Sequence, residues 1–174
     1  LRYGIPNFKL IKSIIDRRLN LLREEGIRFE FGVKLVDAKK KSADDKGEIA
    51  ANIQNDPTLG KDKTVTIDKL SADYDAVVVA TGTPTARDLK IPGRDLKGVY
   101  FALEMLSQQN RKLAGQEFSR DELVNAKGKN VLVIGGGDTG SDCIGTAHRQ
   151  GAKSVTQIEI MPKPPVGPDD PKNP

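Results

Sequence analysis

The sequence has few of the residues that build disulfides, metal clusters and aromatic binding surfaces. Its 174 residues include one cysteine, one histidine and no tryptophan, and aromatic residues make up 5%. One cysteine excludes an internal disulfide framework and a cysteine-ligated metal cluster within this chain, because each needs several thiols. Low cysteine usage also fits a reducing compartment, so we expect a cytoplasmic protein.

Long apolar runs and a strong excess of one charge are absent as well. No run approaches the roughly 20 apolar residues of a membrane-spanning helix, and the opening Leu1-Arg2-Tyr3 does not resemble a signal peptide. The 28 basic and 24 acidic residues give a net charge of +4, and the basic residues do not alternate with aromatic ones. We therefore expect neither nucleic acid nor a membrane among the partners.

The first part of the chain predicts elements that serve packing. In residues 8–25 the apolar side chains follow one face of a helix, and Gly26 provides a C-terminal stop. Residues 27–31 alternate apolar and charged side chains, which is typical of a half-buried strand. Residues 39–63 are polar with little periodicity, which predicts a long hairpin or surface excursion, the most mobile internal part, with a returning strand at 64–67.

The second part predicts an alternation of buried strands and helices. Residues 76–80 are an unbroken run of small apolar side chains, which is typical of a strand buried on both faces of a parallel sheet. The apolar spacing of residues 102–113 predicts a helix. Two more buried strands are predicted at 131–134 and 155–160, before and after a helix that Gly151 ends.

A glycine-rich turn between strand 131–134 and this helix is the main functional signal. It has the spacing G-x-G-x-x-G, in which Gly135 permits the tight turn, Gly137 lets the backbone approach a phosphate and Gly140 lets the helix pack closely. The positive end of the helix then faces the anion. Glu159 follows about twenty residues after the last glycine, where a ribose-binding carboxylate is expected. This context favours dinucleotide binding over a tight turn without a ligand.

Two single residues are interpreted as structural. Cys143 lies on the inner face of the predicted helix, so we expect a small core residue and no nucleophile. His148 lies near the helix C-terminus, where a partial positive charge suits the helix dipole. A hydrolytic triad would need a serine or cysteine set against this histidine, and the sequence suggests none.

Four stretches together resemble the small (beta) subunit family of bacterial glutamate synthases: "LRYGIPNFKL", "VVVATG", "IPGRDLKGVYFALEMLSQQNR" and "VLVIGGGDTGSDCIGTAHRQGAKSVTQIEIMPKPP". The wider group includes dihydropyrimidine dehydrogenase and adrenodoxin-reductase-like flavoproteins. The resemblance implies hydride transfer from NADPH to FAD. Electrons would then pass through iron–sulfur clusters to a large (alpha) subunit, where glutamine and 2-oxoglutarate become two glutamates.

The resemblance implies an α/β, Rossmann-like fold with a parallel sheet, in which two dinucleotide-binding domains are each present in part. Residues 1–95 would be the remainder of the FAD-binding domain, with a long polar insertion near 39–63. Residues 96–174 would be the first part of the NAD(P)H-binding domain. The family's 4Fe-4S clusters would lie in an N-terminal domain outside this chain. We therefore expect the chain by itself to be inactive and to carry no flavin.

The resemblance also assigns cofactor-binding residues. Hydride transfer needs no side-chain acid or base, so no catalytic residue and no metal ligand is assigned. The residues assigned to NADPH are Gly135, Gly136, Gly137, Asp138, Thr139, Gly140, Glu159 and Lys163. The residues assigned to FAD are Ile5, Pro6, Ala80, Thr81 and Gly82.

Two questions stay open at this point. Glu159 would repel the 2′-phosphate of NADPH and so favours NADH, whereas the family and the nearby Lys163 favour NADPH, which we expect. The alternative functions are a related FAD- and NAD(P)H-dependent electron-transfer reductase with another partner, and a non-catalytic module that binds a dinucleotide.

Overall fold

The computed structural model describes residues 1–36, 63–82, 86–119 and 122–162. The described residues contain both helices and strands, and both strand pairs are parallel, which confirms the predicted α/β class. The described elements are α1 (Lys12–Glu24), β1 (Val33–Val36), β2 (Lys63–Thr66), α2 (Ile67–Asp73), α3 (Ala102–Leu113), β3 (Asn130–Ile134), α4 (Asp138–Arg149) and β4 (Ser154–Ile158).

The described residues divide into two compact units. One unit consists of Leu1–Ile15 and Asp95–Pro174, and the other consists of Asp16–Arg94. The boundary between Ile15 and Asp16 falls within α1. The first residues of the chain therefore group with its C-terminal part. The assignment of residues 1–95 to FAD and 96–174 to NAD(P)H stays a prediction.

Helix α1 ends where the sequence predicted, at a glycine. The N–H groups of Gly26 and Ile27 donate to the carbonyls of Arg23 and Leu22, each at 3.0 Å, which is the Schellman arrangement. Gly26 has a φ of +91°, a conformation that a side chain would strain. The helix begins at Lys12 and not at residue 8, because residues before it form a turn closed on the Pro6 carbonyl.

Three predictions in the unit Asp16–Arg94 are wrong: the strand at 27–31, the hairpin alternative for residues 39–63 and the buried strand at 76–80. Residues 27–31 form no strand; the chain instead bends at Gly32, with φ +65°, and β1 follows. Two of the alternating apolar residues instead stack on each other. The ring centroids of Phe29 and Phe31 lie 6.1 Å apart, and the ring planes are nearly parallel. The predicted hairpin is excluded because β1 and β2 pair in parallel, and parallel strands need a crossover connection.

The connection itself falls outside the described residues. The predicted mobility of residues 39–63 therefore stays a prediction. Of these residues the structure describes only Lys63, which begins β2. The returning strand predicted at 64–67 corresponds to β2. Thr66 ends this strand and caps α2, since its hydroxyl accepts a hydrogen bond from the Lys69 N–H at 3.2 Å.

The predicted buried strand at residues 76–80 is also wrong. These residues form no strand, and Val78 is 88% exposed and Val79 67%. An apolar run is buried on two faces only when neighbouring strands and helices cover it. In the part of the chain that the structure describes, no strand pairs with this run.

The unit that contains β3 and β4 has a compact core on one side of its sheet. The strands pair in parallel, with Val131 opposite Val155. Helix α4 packs against both strands, and α3 packs against α4. Leu106, Val133 and Cys143 form the buried centre of this core. The helix predicted at 102–113 and the strand at 131–134 are confirmed, whereas β4 ends two residues earlier than predicted.

The other face of the β3–β4 pair is exposed, contrary to the prediction of fully buried strands. Leu132, Ile134 and Ile158 are 57%, 61% and 48% exposed. Side chains alternate between the two faces of a strand, and the described helices cover only the face that carries Val133.

The N-terminal residues dock on the same unit through specific contacts. Asn110 is buried in the last turn of α3, and its side-chain amide donates to the carbonyls of Tyr3 at 2.7 Å and Ile5 at 3.0 Å. Lys9 forms an ion pair of 2.6 Å with the buried Asp142 of α4. These contacts explain why residues close to α1 belong with the C-terminal unit.

Candidate functional site

The glycine turn connects β3 to α4, as the sequence predicted. Gly135 follows β3 with a φ of +115°, so a side chain at this position would strain the backbone. Its N–H donates to the carbonyl of Ile158, at the end of β4, at 2.9 Å. Gly137 is the N-cap residue of α4, with an ordinary φ of −72°.

Space inside the protein requires one more of the glycines, Gly140, and places a side chain against another, Gly136. A Cβ on Gly140 would lie 2.5 Å from the carbonyl oxygen of Gly135, which confirms the predicted close approach of helix and strand. A Cβ on Gly136 would overlap the carboxylate of Glu159. Glu159 is exposed and its side chain can move, so this contact places Glu159 against the turn and does not require glycine at position 136.

Gly137 differs from the other three. Nothing in the described residues lies within 4 Å of the position that its Cβ would take, and its φ permits any side chain. Neither the backbone nor the packing of the described residues therefore calls for glycine here. The space above Gly137 lies at the N-terminus of a twelve-residue helix, where unpaired N–H groups favour an anion. Asp138 and Thr139 are exposed in the first turn beside it.

Glu159 lies next to the turn, just beyond the end of β4. Its Oε1 atom accepts hydrogen bonds from the N–H groups of Ile160 at 2.7 Å and Met161 at 3.1 Å. These bonds fix the carboxylate over Gly136. The structure thus brings Glu159 together with the glycine turn, while Lys163 lies outside the described residues.

Gln157 is a contact of the turn that the sequence reasoning missed. Its side-chain amide donates to the carbonyl oxygen of Gly135 at 2.8 Å. Val155 packs in the core, and Gln157 and Glu159 follow at two-residue intervals with contacts to the glycine turn. This two-residue spacing is the sequence signal that could have identified Gln157, because residues i, i+2 and i+4 of a strand share a face.

The residues predicted for FAD are distributed over both units. Ile5 and Pro6 belong to the unit with the glycine turn, where Pro6 is buried and the Ile5 carbonyl accepts from Asn110 and from the Lys12 ammonium group. Burial, and to a smaller extent the nearby Arg2, lower the pKa of Lys12.

The other residues predicted for FAD, Ala80, Thr81 and Gly82, belong to the unit Asp16–Arg94. They are exposed, and Gly82 has a φ of +73°, a conformation that a side chain would strain.

Cys143 and His148 have the structural surroundings that were expected. Cys143 is 6% exposed, and burial, followed by the neighbouring Asp142 charge, raises the pKa of its thiol to about 11. The thiol is therefore protonated at neutral pH and is a poor nucleophile. His148 is exposed in the last turn of α4.

A surface depression of about 240 Å³ lies near the C-terminal ends of α3 and α4. It is polar and basic, and its lining includes Gln109, Lys112, Asn125, Lys127, Arg149 and Gln150. Arg149 is the last residue of α4, so the depression is at the opposite end of this helix from the glycine turn. We do not include it in the candidate site.

No helix in the described segments is both long enough and apolar enough to cross a bilayer. The longest helix in these segments, α1, has 13 residues.

Residues 20–171 match the profile of a family described as pyridine nucleotide-disulphide oxidoreductase. The chain is 45% identical over 168 residues to the "Glutamate synthase [NADPH] small chain" of Mycobacterium tuberculosis, which covers 95% of this chain and 29% of that protein. It is 43% identical over 165 residues to "Glutamate synthase [NADH]" of Schizosaccharomyces pombe, with 95% and 7% covered. The identity to the Bacillus subtilis NADPH small chain is 41% over 171 residues, with 98% and 29% covered. The chain spans less than a third of the length of these relatives.

Proposed function

The chain belongs to the pyridine nucleotide-disulphide oxidoreductase family, and we propose that it is part of the small subunit of a glutamate synthase, where it helps to pass hydride from NADPH to FAD. The observation that carries the proposal is the glycine turn. Gly137 leaves open space at the start of α4, although the described fold makes no demand for glycine there. A dinucleotide pyrophosphate needs such a space, because its oxygens must come close to backbone N–H groups.

The relatives support the choice of enzyme within the family. The printed names of two bacterial small chains, at 45% and 41% identity, and of a yeast enzyme at 43% identity all specify glutamate synthase. We propose accordingly that the whole protein works with a large subunit, to which electrons pass through iron–sulfur clusters outside this chain. Its site of action would be the cytoplasm.

We assign the pyridine nucleotide to the turn and to the residues that adjoin it: Gly135, Gly136, Gly137, Asp138, Thr139, Gly140, Glu159 and Lys163. When bound, NADPH and FAD supply the hydride donor and acceptor, so the protein contributes binding, orientation and exclusion of water. Gly137 and the N-terminus of α4 would hold the pyrophosphate, and Glu159 would contact the adenosine ribose. We assign Ile5, Pro6, Ala80, Thr81 and Gly82 to the flavin.

Glu159 provides a test of the nucleotide preference. Its carboxylate lies over Gly136, and a negative charge there repels a 2′-phosphate while it can accept from a 2′-hydroxyl. We propose NADPH as the natural donor, with basic groups such as Lys163 receiving the phosphate. In the full-length protein, Glu159→Gln is expected to lower the Kd for NADP⁺ and to raise the Kd for NAD⁺, each by about threefold to tenfold. Parallel titrations with both nucleotides measure these Kd values. Unchanged values in the variant would show that Glu159 does not contact the nucleotide.

The function itself is tested with the full-length protein and a glutamate synthase large subunit. We expect the two to co-purify, the flavin to be reduced by NADPH under anaerobic conditions, and glutamate to form from glutamine and 2-oxoglutarate. Flavin reduction without glutamate formation would identify a related electron-transfer reductase. Nucleotide binding by a protein that holds no flavin would identify a non-catalytic dinucleotide-binding module.

A further inference from the structure

The turn begins with three consecutive glycines, Gly135, Gly136 and Gly137. Glycine has the most conformationally free backbone of all residues. Glycine populates positive and negative φ values almost equally, so three in succession lose much entropy when they adopt one conformation. A turn that must present N–H groups to a ligand therefore needs restraints of its own. The N–H of Gly135 has one, since it donates to the carbonyl of Ile158 at 2.9 Å.

The carbonyl of Gly135 is restrained by Gln157, the neighbour of Ile158 in β4. The Nε2 atom of Gln157 donates to this oxygen at 2.8 Å. A carbonyl oxygen only accepts, so the nitrogen and not the oxygen of the side-chain amide must face it. Gly140 closes the other side, because its Cβ position lies 2.5 Å from the same oxygen. The Gly135 peptide is thus held between β4 and α4.

We propose that Gln157 is a positioning residue of the nucleotide site, which holds the glycine turn in its binding conformation before the nucleotide arrives. The inference rests on the proposed function, since it takes the turn to bind a pyridine nucleotide. Gln157 acts through the Gly135 carbonyl and carries no part of the hydride transfer. Its loss therefore weakens nucleotide binding and leaves the turnover at saturating nucleotide unchanged.

The test compares Gln157→Met with Thr156→Val in the full-length, flavin-loaded protein. Methionine keeps the length of the side chain but cannot donate to the Gly135 carbonyl. Thr156 is the preceding residue of β4 and faces the other side of the strand, so its near-isosteric replacement changes the strand but not the turn. NADP⁺ and NAD⁺ are the probes for Kd, and amide hydrogen exchange at residues 135–137 reports on the turn without nucleotide.

We expect Gln157→Met to raise the Kd for the preferred nucleotide by roughly tenfold and to speed exchange at the turn. The kcat, the flavin content and the Tm should equal those of Thr156→Val. A Kd like that of the wild type, or an equal rise in Thr156→Val, would overturn the assignment. If the wild-type protein bound neither nucleotide, the proposed function would be overturned instead. The wild type is titrated first, so this outcome is known before any variant is compared.

Discussion

At the scale of single residues, the four glycines of the turn differ in what the described fold demands of them. Gly135 is required by its positive φ and Gly140 by the backbone carbonyl that a Cβ would meet, whereas a Cβ on Gly136 would meet only the Glu159 side chain and Gly137 faces open space. The spacing rule anticipated the roles of Gly135 and Gly140, because they belong to the backbone geometry of this turn in any sequence. It could not anticipate the contact at Gly136, which depends on where the Glu159 side chain folds back.

Cys143 provides a prediction about pH. Burial raises the pKa of its thiol from 9.0 to about 11, so the folded protein favours the protonated form. This stabilisation is complete below about pH 9 and is lost as the pH rises from 9 towards 11. We compare the unfolding free energies of the wild type and Cys143→Ala. Between pH 7.5 and pH 10, the unfolding free energy of the wild type should fall by about 1.4 kcal/mol relative to that of the variant.

Urea unfolding at the two pH values measures the effect. Lysines and tyrosines also titrate in this range, but they are the same in both proteins, so the comparison with Cys143→Ala isolates the thiol. A difference in unfolding free energy that does not change with pH would mean that Cys143 is less buried than the structure shows.

At the scale of elements, prediction succeeded where the signal is local. The apolar spacing of α3 and the glycine stop of α1 are properties of a few consecutive residues, and both were found at the predicted positions. A strand depends on a partner elsewhere in the chain. Residues 76–80 have the composition of a buried strand but no described partner. Strands β1 and β2 pair in parallel, although residues 39–63 between them suggested a long hairpin or a surface excursion.

The docking of the N-terminal segment depends on one side chain, which gives an element-scale prediction. Asn110 donates to the carbonyls of Tyr3 and Ile5 from a buried position. Asn110→Leu leaves both carbonyls without this donor, so we expect a loss of about 1–3 kcal/mol in unfolding free energy. Amide hydrogens of residues 1–10 should exchange faster, as measured by mass spectrometry.

Gln108→Leu is the matched control for this variant. Gln108 lies on the same helix and also holds a backbone segment, since it donates to the Glu122 carbonyl and accepts from the Val124 N–H, both at 2.6 Å. Its replacement should speed exchange near residues 122–124 and leave residues 1–10 unchanged. Equal exchange of residues 1–10 in both variants would show that Asn110 does not anchor the segment.

At the scale of the whole molecule, the sequence predicted the α/β class and the family but not the grouping of its parts. The first fifteen residues belong to the unit of the glycine turn, through contacts such as the ion pair between Lys9 and Asp142. Such contacts join residues more than 100 positions apart, and no local pattern signals them. The chain covers 29% of the length of the bacterial small chains, so the activity proposed for it is tested in the full-length protein.

The central claim is that the space above Gly137 receives the pyrophosphate of a pyridine nucleotide. Gly137→Val fills this space, whereas the described fold tolerates a side chain there. Gly140→Ala is the contrasting variant, because its Cβ meets the Gly135 carbonyl at 2.5 Å and should lower the Tm.

The decisive measurement is the KM for NADPH of the full-length Gly137→Val protein, beside its flavin absorbance and Tm. Loss of one charge-assisted hydrogen bond is worth about 1.5–3 kcal/mol, so we expect the KM to rise roughly tenfold to a hundredfold while flavin content and Tm stay the same. A KM equal to that of the wild type would contradict the account, since the turn would then be structural only. An equal loss of flavin would contradict it as well, by showing that this turn holds FAD.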